Sequence, residues 1–201
     1  MKNVTSSSVG DMAEDSRGKT DGINAQPPTT SHVLHRSLLS DPATVVAASG
    51  SYITLSTGQR ILDGCTGAAV SVIGHGSEEV QAAVREQMAK LSYAHTLAFT
   101  TGAAEALADA LLKDTPYGLC KAYFVCSGSE AMDSALKLAR QYHVETGNAQ
   151  RTHIVARRQA FHGNTIGALS VGSNVARKAP YVGALTLPNV SHVSPAYTYR
   201  A

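Results

Sequence analysis

The sequence of 201 residues has few features of membrane, secreted or nucleic-acid-binding proteins. No stretch approaches the roughly 18 apolar residues of a membrane-spanning helix, and the N-terminus lacks the apolar segment of a secretion signal. Acidic residues interrupt the few basic ones near the N-terminus, which disfavours a mitochondrial transit peptide. The formal net charge is only +2, without a basic run or stripe, so no nucleic-acid partner is expected. We expect a cytoplasmic protein without membrane contact.

Cysteine is also scarce. Cys65, Cys120 and Cys126 show no CxxC spacing and no nearby histidine pattern, and their number is odd. We therefore expect thiols in the core rather than disulfides or metal ligands, and no metal site. With 43% hydrophobic and 16% charged residues, the chain has the composition of a globular protein and is long enough for one core of ordinary size.

Turn residues and apolar periodicity divide the chain into elements. Residues 1–30 contain almost no large apolar side chain, which predicts a disordered lead-in. Residues 49–67 alternate in polarity and break at Thr57-Gly58, which predicts a β-hairpin. Start and stop signals predict helices over residues 77–91 and 101–113.

The second half of the chain has the pattern of a parallel α/β sheet. Residues 121–126 and 151–158 are predicted to be buried strands, separated by a helix that begins at Ser127. A loop and a helix of small residues, over 164–171, follow the second strand. Strand, helix, strand, loop and helix in this order predict a βαβ unit with a right-handed crossover.

The central helix begins with a motif suited to an anion. Ser127 and Glu130 stand three residues apart, the spacing of a capping box. The next amides, at Gly128 and Ser129, have no partner inside the helix, and the helix dipole favours a phosphate there. A capping box also occurs at helix starts that bind no ligand, so this motif needs support from other residues.

That support comes from Phe161, His162 and Gly163, which follow the second predicted strand. Ligands of parallel α/β sheets lie beyond the carboxyl ends of the strands, so both motifs are expected at one edge of the sheet. A phosphate cradle beside an aromatic ring and an imidazole suits a phosphorylated planar heteroaromatic ligand. Taken singly, Phe161 fits core packing, and His162 fits a structural hydrogen bond.

Three segments carry a family resemblance: LDGCTGAAVSVIGHG from Leu62, SGSEAMDSALKLAR from Ser127 and QAFHGNTIGALSVG from Gln159. In order and spacing they resemble the class III pyridoxal-phosphate aminotransferases of fold type I. The resemblance runs from about residue 32 to the end, with one departure at Ser77-Glu78, where the family often has His-Pro after Gly-His. It implies an α/β fold in which residues 31–95 are an N-terminal small-domain segment and 96–201 the first part of the cofactor-binding large domain.

The resemblance also implies roles for single residues. Gly128 and Ser129 would hold the phosphate of pyridoxal 5′-phosphate through backbone amides and the Ser129 hydroxyl. Phe161 would stack on the pyridine ring, and His162 and Gly163 would complete the cofactor pocket. Val70 and residues 93–95 resemble the substrate pocket of the family, although core packing explains them equally well.

The family places two further groups downstream of the Phe-His-Gly element: the lysine that binds the cofactor as a Schiff base, and the carboxylate that keeps the pyridine nitrogen protonated. Neither motif occurs in this sequence. Lys178 is the only lysine after Phe161, and we expect it to be solvated at the surface. Lys137 lies two turns into the helix and is a poor candidate. No catalytic residue is therefore predicted.

The resemblance implies substrates and an assembly as well. Full-length members form homodimers and move an amino group between an amino donor and a keto acid or aldehyde. We expect this chain to be a truncated part of such an enzyme that is inactive and poorly folded by itself. The alternative is a short non-catalytic form that binds a phosphorylated ligand or pairs with a full-length relative. A decarboxylase or aminomutase variant, and the identity of donor and acceptor, stay open.

Overall fold

The computed structural model describes residues 31–37 and 39–200. The predicted disordered lead-in, residues 1–30, lies outside the described residues. The chain divides into two compact units, one that ends at Tyr93 and one that begins at Ala94. The assignment of residues 31–95 and 96–201 to two family domains stays a prediction.

The first unit contains an antiparallel sheet of three strands in chain order. The strands are β1 Val45–Ser49, β2 Tyr52–Leu55 and β3 Arg60–Leu62. Gly58 turns the chain between β2 and β3 with a φ of +84°, a left-handed conformation that glycine adopts without steric cost. The predicted hairpin is confirmed in β2 and β3, while β1 lies ahead of the range that the sequence pattern indicated.

Two helical segments follow in this unit. The short turn α1 spans Thr66–Ala69 and contains positive φ angles at Thr66, Gly67 and Ala69. Helix α2 spans Glu78–Lys90, begins after Ser77 and carries two glutamates in its first turn, where the helix dipole favours negative charge. The helix predicted over residues 77–91 is confirmed.

The second unit begins with two capped helices. Helix α3 spans Gly102–Leu112, and the Thr101 hydroxyl accepts a hydrogen bond from the Ala104 amide at 3.1 Å. Helix α4 spans Gly128–Glu145. Both helices match the prediction, because an oxygen-bearing side chain stands where the first free amides need an acceptor.

A parallel strand pair lies at the end of the second unit. Strand β4, Ile154–Arg157, pairs in parallel with β5, Val190–Val193. Between them lie α5, Ile166–Val171, then α6, Val175–Lys178, and a 3₁₀ turn over Ala179–Tyr181. A second 3₁₀ turn spans Thr198–Arg200. The predicted parallel α/β pattern is thus confirmed, and the buried residues Ala168, Ser170 and Val171 of α5 form its centre.

The predictions of two buried strands are wrong in their pairing or burial. Residues 121–126 form no strand with any described residue, and Tyr123 is 80% exposed, because no neighbouring segment of the described chain offers it hydrogen bonds. Strand β4 alternates between half-buried and exposed residues instead of being buried on both faces.

The prediction of thiols in the core is also wrong. The three cysteines are exposed and free, since each lies in a segment that no other layer of the described chain covers. Within residues 31–37 and 39–200, no helix is long and apolar enough to cross a membrane. The same residues contain no group of three or more metal-ligating side chains.

Candidate functional site

The site begins at the N-terminus of α4. The Ser127 hydroxyl accepts a hydrogen bond from the Glu130 amide at 3.2 Å, as the predicted capping box requires. In return, the Glu130 carboxylate accepts from the Cys126 amide at 2.8 Å, one residue ahead of the cap. The two bonds fix the direction in which the chain enters the helix.

The first two amides of α4 stay available. No acceptor within the described part of the chain contacts the N–H of Gly128 or Ser129. A side chain at Gly128 would meet no atom within 4 Å, so the space beside this residue is open. Two free amides at the positive end of a long helix, facing open space, are suited to bind an anion.

Ser129 links this helix start to the loop before α5. Its hydroxyl oxygen accepts from the Asn164 amide at 2.9 Å, and its carbonyl accepts from the Thr165 hydroxyl at 3.3 Å. A serine hydroxyl carries one donor besides its two acceptor positions. The Ser129 proton therefore remains available to a bound anion while the oxygen holds the loop.

Gly163 lies against Ser129 and could not be another residue without a rearrangement. Its φ is +132°, and a Cβ there would lie 2.5 Å from Ser129 Oγ and 2.8 Å from Ser129 Cα. Gly163 is itself buried. The missing side chain lets the loop backbone approach α4 directly.

The aromatic residue of the loop faces solvent. Phe161 is 59% exposed, which contradicts core packing for this ring. The guanidinium carbon of Arg177 lies 5.1 Å from the centre of the Phe161 ring, within the range of a cation–π contact. His162, between Phe161 and Gly163, is half-buried. Ser129 and Gly163 are thus in contact, and Phe161 and His162 lie near them because they directly precede Gly163 in the chain.

The other end of this loop is also fixed. The Ser173 amide donates to the Ala160 carbonyl at 3.0 Å, which ties the residue before Phe161 to the end of α5. Gln159 has a φ of +60°, a conformation that is uncommon for residues other than glycine. The short loop is therefore held on both sides of Phe161.

The prediction of a solvated Lys178 is wrong. Its ammonium group donates to the Ser170 carbonyl at 2.6 Å and to the Gly172 carbonyl at 3.0 Å. Burial lowers the pKa of Lys178 below its usual 10.5, because desolvation disfavours the charged form. The lysine thus caps the carboxyl end of α5, a role that its sequence context did not indicate.

In the first unit, a hydrogen bond that the sequence did not indicate joins Asp63 and His75. The carboxylate and the His75 ring nitrogen are 3.1 Å apart. This hydrogen bond, helped by the backbone amides of residues 65–67 and opposed by burial, lowers the pKa of Asp63. Val70, in the same unit, is 80% exposed, so core packing does not explain it.

The second unit therefore has a parallel α/β arrangement with an open helix N-terminus beside a loop that carries an exposed aromatic ring. This combination is suited to an anionic group next to a planar one. The family model of the class III aminotransferases matches residues 36–201. The chain belongs to this family.

Individual relatives agree with this assignment. An uncharacterized aminotransferase of Schizosaccharomyces pombe is 46% identical over 159 residues, which cover 79% of this chain and 34% of that protein. The adenosylmethionine-8-amino-7-oxononanoate aminotransferase of Geobacter sulfurreducens is 35% identical over 133 residues, or 66% of this chain and 29% of that protein. The chain thus spans about a third of the length of these curated relatives.

A solved structure agrees as well. The PLP-bound amine transaminase of an uncultivated Pseudomonas species matches with a TM-score of 0.77 and 29% identity. The match covers 87% of this chain and 41% of that one. The chain therefore has the fold of part of a fold type I transaminase.

Proposed function

We propose that this chain is part of a pyridoxal-phosphate-dependent aminotransferase and that Gly128, Ser129, Phe161, His162 and Gly163 form its cofactor seat. The observation that carries the proposal is the contact between Ser129 and Gly163. It joins the open amides of α4 to the loop that bears the exposed Phe161 ring. Family membership supports the choice of cofactor.

The residues fit the phosphate of this cofactor. The amides of Gly128 and Ser129 point away from the helix that begins there, and the open space at Gly128 lets phosphate oxygens approach the backbone. The Ser129 hydroxyl offers a third donor, because its oxygen accepts from the Asn164 amide while its proton remains available. Charge-assisted hydrogen bonds of this kind are stronger than bonds between neutral groups.

The loop before α5 fits the pyridine ring of the cofactor. Phe161 presents an exposed face on which a pyridine ring can stack, and Arg177 lies against the same side chain. His162, which lies between Phe161 and Gly163, is half-buried. In this proposal, the residues of the chain bind and orient, and none of them is assigned a covalent step.

When bound, pyridoxal phosphate supplies an electron sink for the transfer of an amino group between an amino donor and a keto acid or aldehyde. The names of the relatives support transamination as the reaction class. Donor and acceptor are proposed only as these classes. A cytoplasmic homodimer stays the sequence-based prediction for the whole protein.

The proposal is tested with pyridoxamine 5′-phosphate, whose amine cannot form Schiff bases with surface lysines. We expect saturable quenching of ligand fluorescence by the 201-residue chain. Replacing Ser129→Ala removes a donor to the phosphate and an acceptor for Asn164, so affinity should fall about tenfold. Ser134→Ala, on the same helix, is the matched control and should bind like the unmodified chain. Equal affinities for the Ser129 variant and its control would reject the seat.

A further inference from the structure

Helix α4 contacts α5 and the loop before it at two points four residues apart. Ser129 and Asp133 lie one helical turn apart on the same face of α4. On the other side, Gly163 and Gly167 are also four residues apart, and each faces one of these side chains. Ser129 belongs to the proposed cofactor seat, whereas Asp133 has no role in it so far.

Asp133 replaces the missing N-cap of α5. The residue at the cap position, Thr165, makes no side-chain cap bond, because its hydroxyl donates to the Ser129 carbonyl instead. The Asp133 carboxylate accepts from the Ala168 amide at 2.9 Å. Ala168 is fully buried, so its amide would otherwise lose water without gaining a partner.

The approach of the two helices at Asp133 depends on Gly167. A Cβ at this position would lie 3.1 Å from the Asp133 carboxyl carbon and 3.3 Å from Leu136 Cδ1. The backbone of α5 therefore rests directly against the Asp133 side chain. This close packing restricts the rotamers of the carboxylate and aligns its oxygen with the Ala168 amide.

We propose that Asp133 is a positioning residue of the cofactor seat: by capping α5 from the neighbouring helix, it holds the Phe161 loop in register with the phosphate-binding amides of α4. The inference rests on the proposed function. Without Asp133, the loop would be attached to α4 at one residue, Ser129, through its hydroxyl oxygen and its carbonyl. The attachment of Ala168 to Asp133, one helical turn further along α4, fixes the start of α5 to the same helix at a second residue. Phe161 is exposed, so packing alone does not fix its ring.

The test compares two ligands. Inorganic phosphate needs only the N-terminal amides of α4 and the Ser129 hydroxyl, whereas pyridoxamine 5′-phosphate also needs the ring-stacking loop in place. We expect Asp133→Ala to weaken binding of pyridoxamine 5′-phosphate about tenfold and to change phosphate affinity less than about twofold, the loss expected for one buried hydrogen bond. Asp133→Asn keeps an acceptor oxygen and should restore most of the affinity. Gln141→Ala, an exposed position two turns further along α4, is the control.

Hydrogen exchange of the Ala168 amide checks the attachment itself, and it should accelerate in Asp133→Ala. If that variant does not fold, Asp133→Glu takes its place, because the added methylene displaces the oxygen while the charge is kept. Equal losses for both ligands, or none, would overturn the positioning role. A chain with unmodified Asp133 that fails to bind pyridoxamine 5′-phosphate would instead reject the proposed function.

Discussion

Replacing Gly163→Ala tests how closely the loop must approach α4. The φ of +132° costs a residue with a Cβ about 1–2 kcal/mol. The new Cβ would also lie 2.8 Å from Ser129 Cα, and a backbone atom cannot move aside as a flexible side chain can. Overpacking of this kind costs about 1–3 kcal/mol. We expect a total loss of about 2–5 kcal/mol in the free energy of unfolding of the second unit.

Substitutions of two other glycines separate the conformational cost from the cost of overpacking. Gly147 has a φ of +75° but open space around it, so Gly147→Ala should show the conformational cost alone, about 1–2 kcal/mol. Gly128 has neither a positive φ nor a neighbour within 4 Å. Its replacement by alanine should be neutral or stabilising by up to about 1 kcal/mol.

The assay is urea unfolding followed by far-UV circular dichroism, combined with hydrogen exchange of the Asn164 amide. That amide donates to Ser129 and reports on the contact directly. The Gly163 variant should lose protection there before global unfolding, whereas the Gly147 variant should keep it. Equal stability of these two variants, with unchanged exchange at Asn164, would refute the close approach.

Three further predictions concern a helix cap, a titration and a half-buried lysine. Replacing Glu130→Ala removes the acceptor of the Cys126 amide and should cost about 0.5–2 kcal/mol of helix stability, measured by urea unfolding. The hydrogen bond from His75 lowers the pKa of Asp63 below its usual 3.8, so the pair stabilises the fold above that pH and loses this effect as the pH falls through the lower, folded value. In His75→Ala, the NMR titration of the Asp63 carboxyl should move back towards 3.8. Lys178→Met removes the side-chain donor of the Ser170 carbonyl and one partner of the Gly172 carbonyl, which also lies 3.2 Å from His192 Nε2, and should cost about 1–3 kcal/mol in urea unfolding.

Each of these has its own control. Glu130→Gln keeps an acceptor and should lose less than the alanine variant. An unchanged Asp63 titration in His75→Ala would show that backbone amides, rather than the ring, lower the pKa. Lys178→Arg keeps the donors, so equal loss in the arginine and methionine variants would exclude a capping role.

Local signals in the sequence were sufficient for most helices. The oxygen-bearing residues Thr101 and Ser127 predict the starts of α3 and α4 because a cap involves atoms only three residues apart. The Thr57-Gly58 turn predicts the hairpin for the same reason. Local signals could not decide whether residues 121–126 form a strand, since a strand needs a partner that is distant in sequence.

The candidate site was predicted from the rule that ligands bind at the carboxyl ends of parallel strands. The structure joins Ser129 to Gly163, although residues 121–126, ahead of α4, pair with no strand in the described part of the chain. Packing between α4 and the loop before α5 brings the two motifs together instead. Ser129 and Asp133 have the same spacing as Gly163 and Gly167, in agreement with this packing. The spacing predicts no contact, however, until the two segments are known to be neighbours.

The sequence by itself therefore determined the family, most of the helices and the open N-terminus of α4 at Gly128 and Ser129, because short-range capping and motif spacing encode them. Only the tertiary structure decided that Ser129 holds the Phe161 loop, that Asp133 caps a neighbouring helix and that Lys178 donates to the carbonyls at the end of α5. Each of these facts depends on atoms that are distant along the chain or on the burial that packing creates. Local sequence predicts neither the distant contact nor the burial.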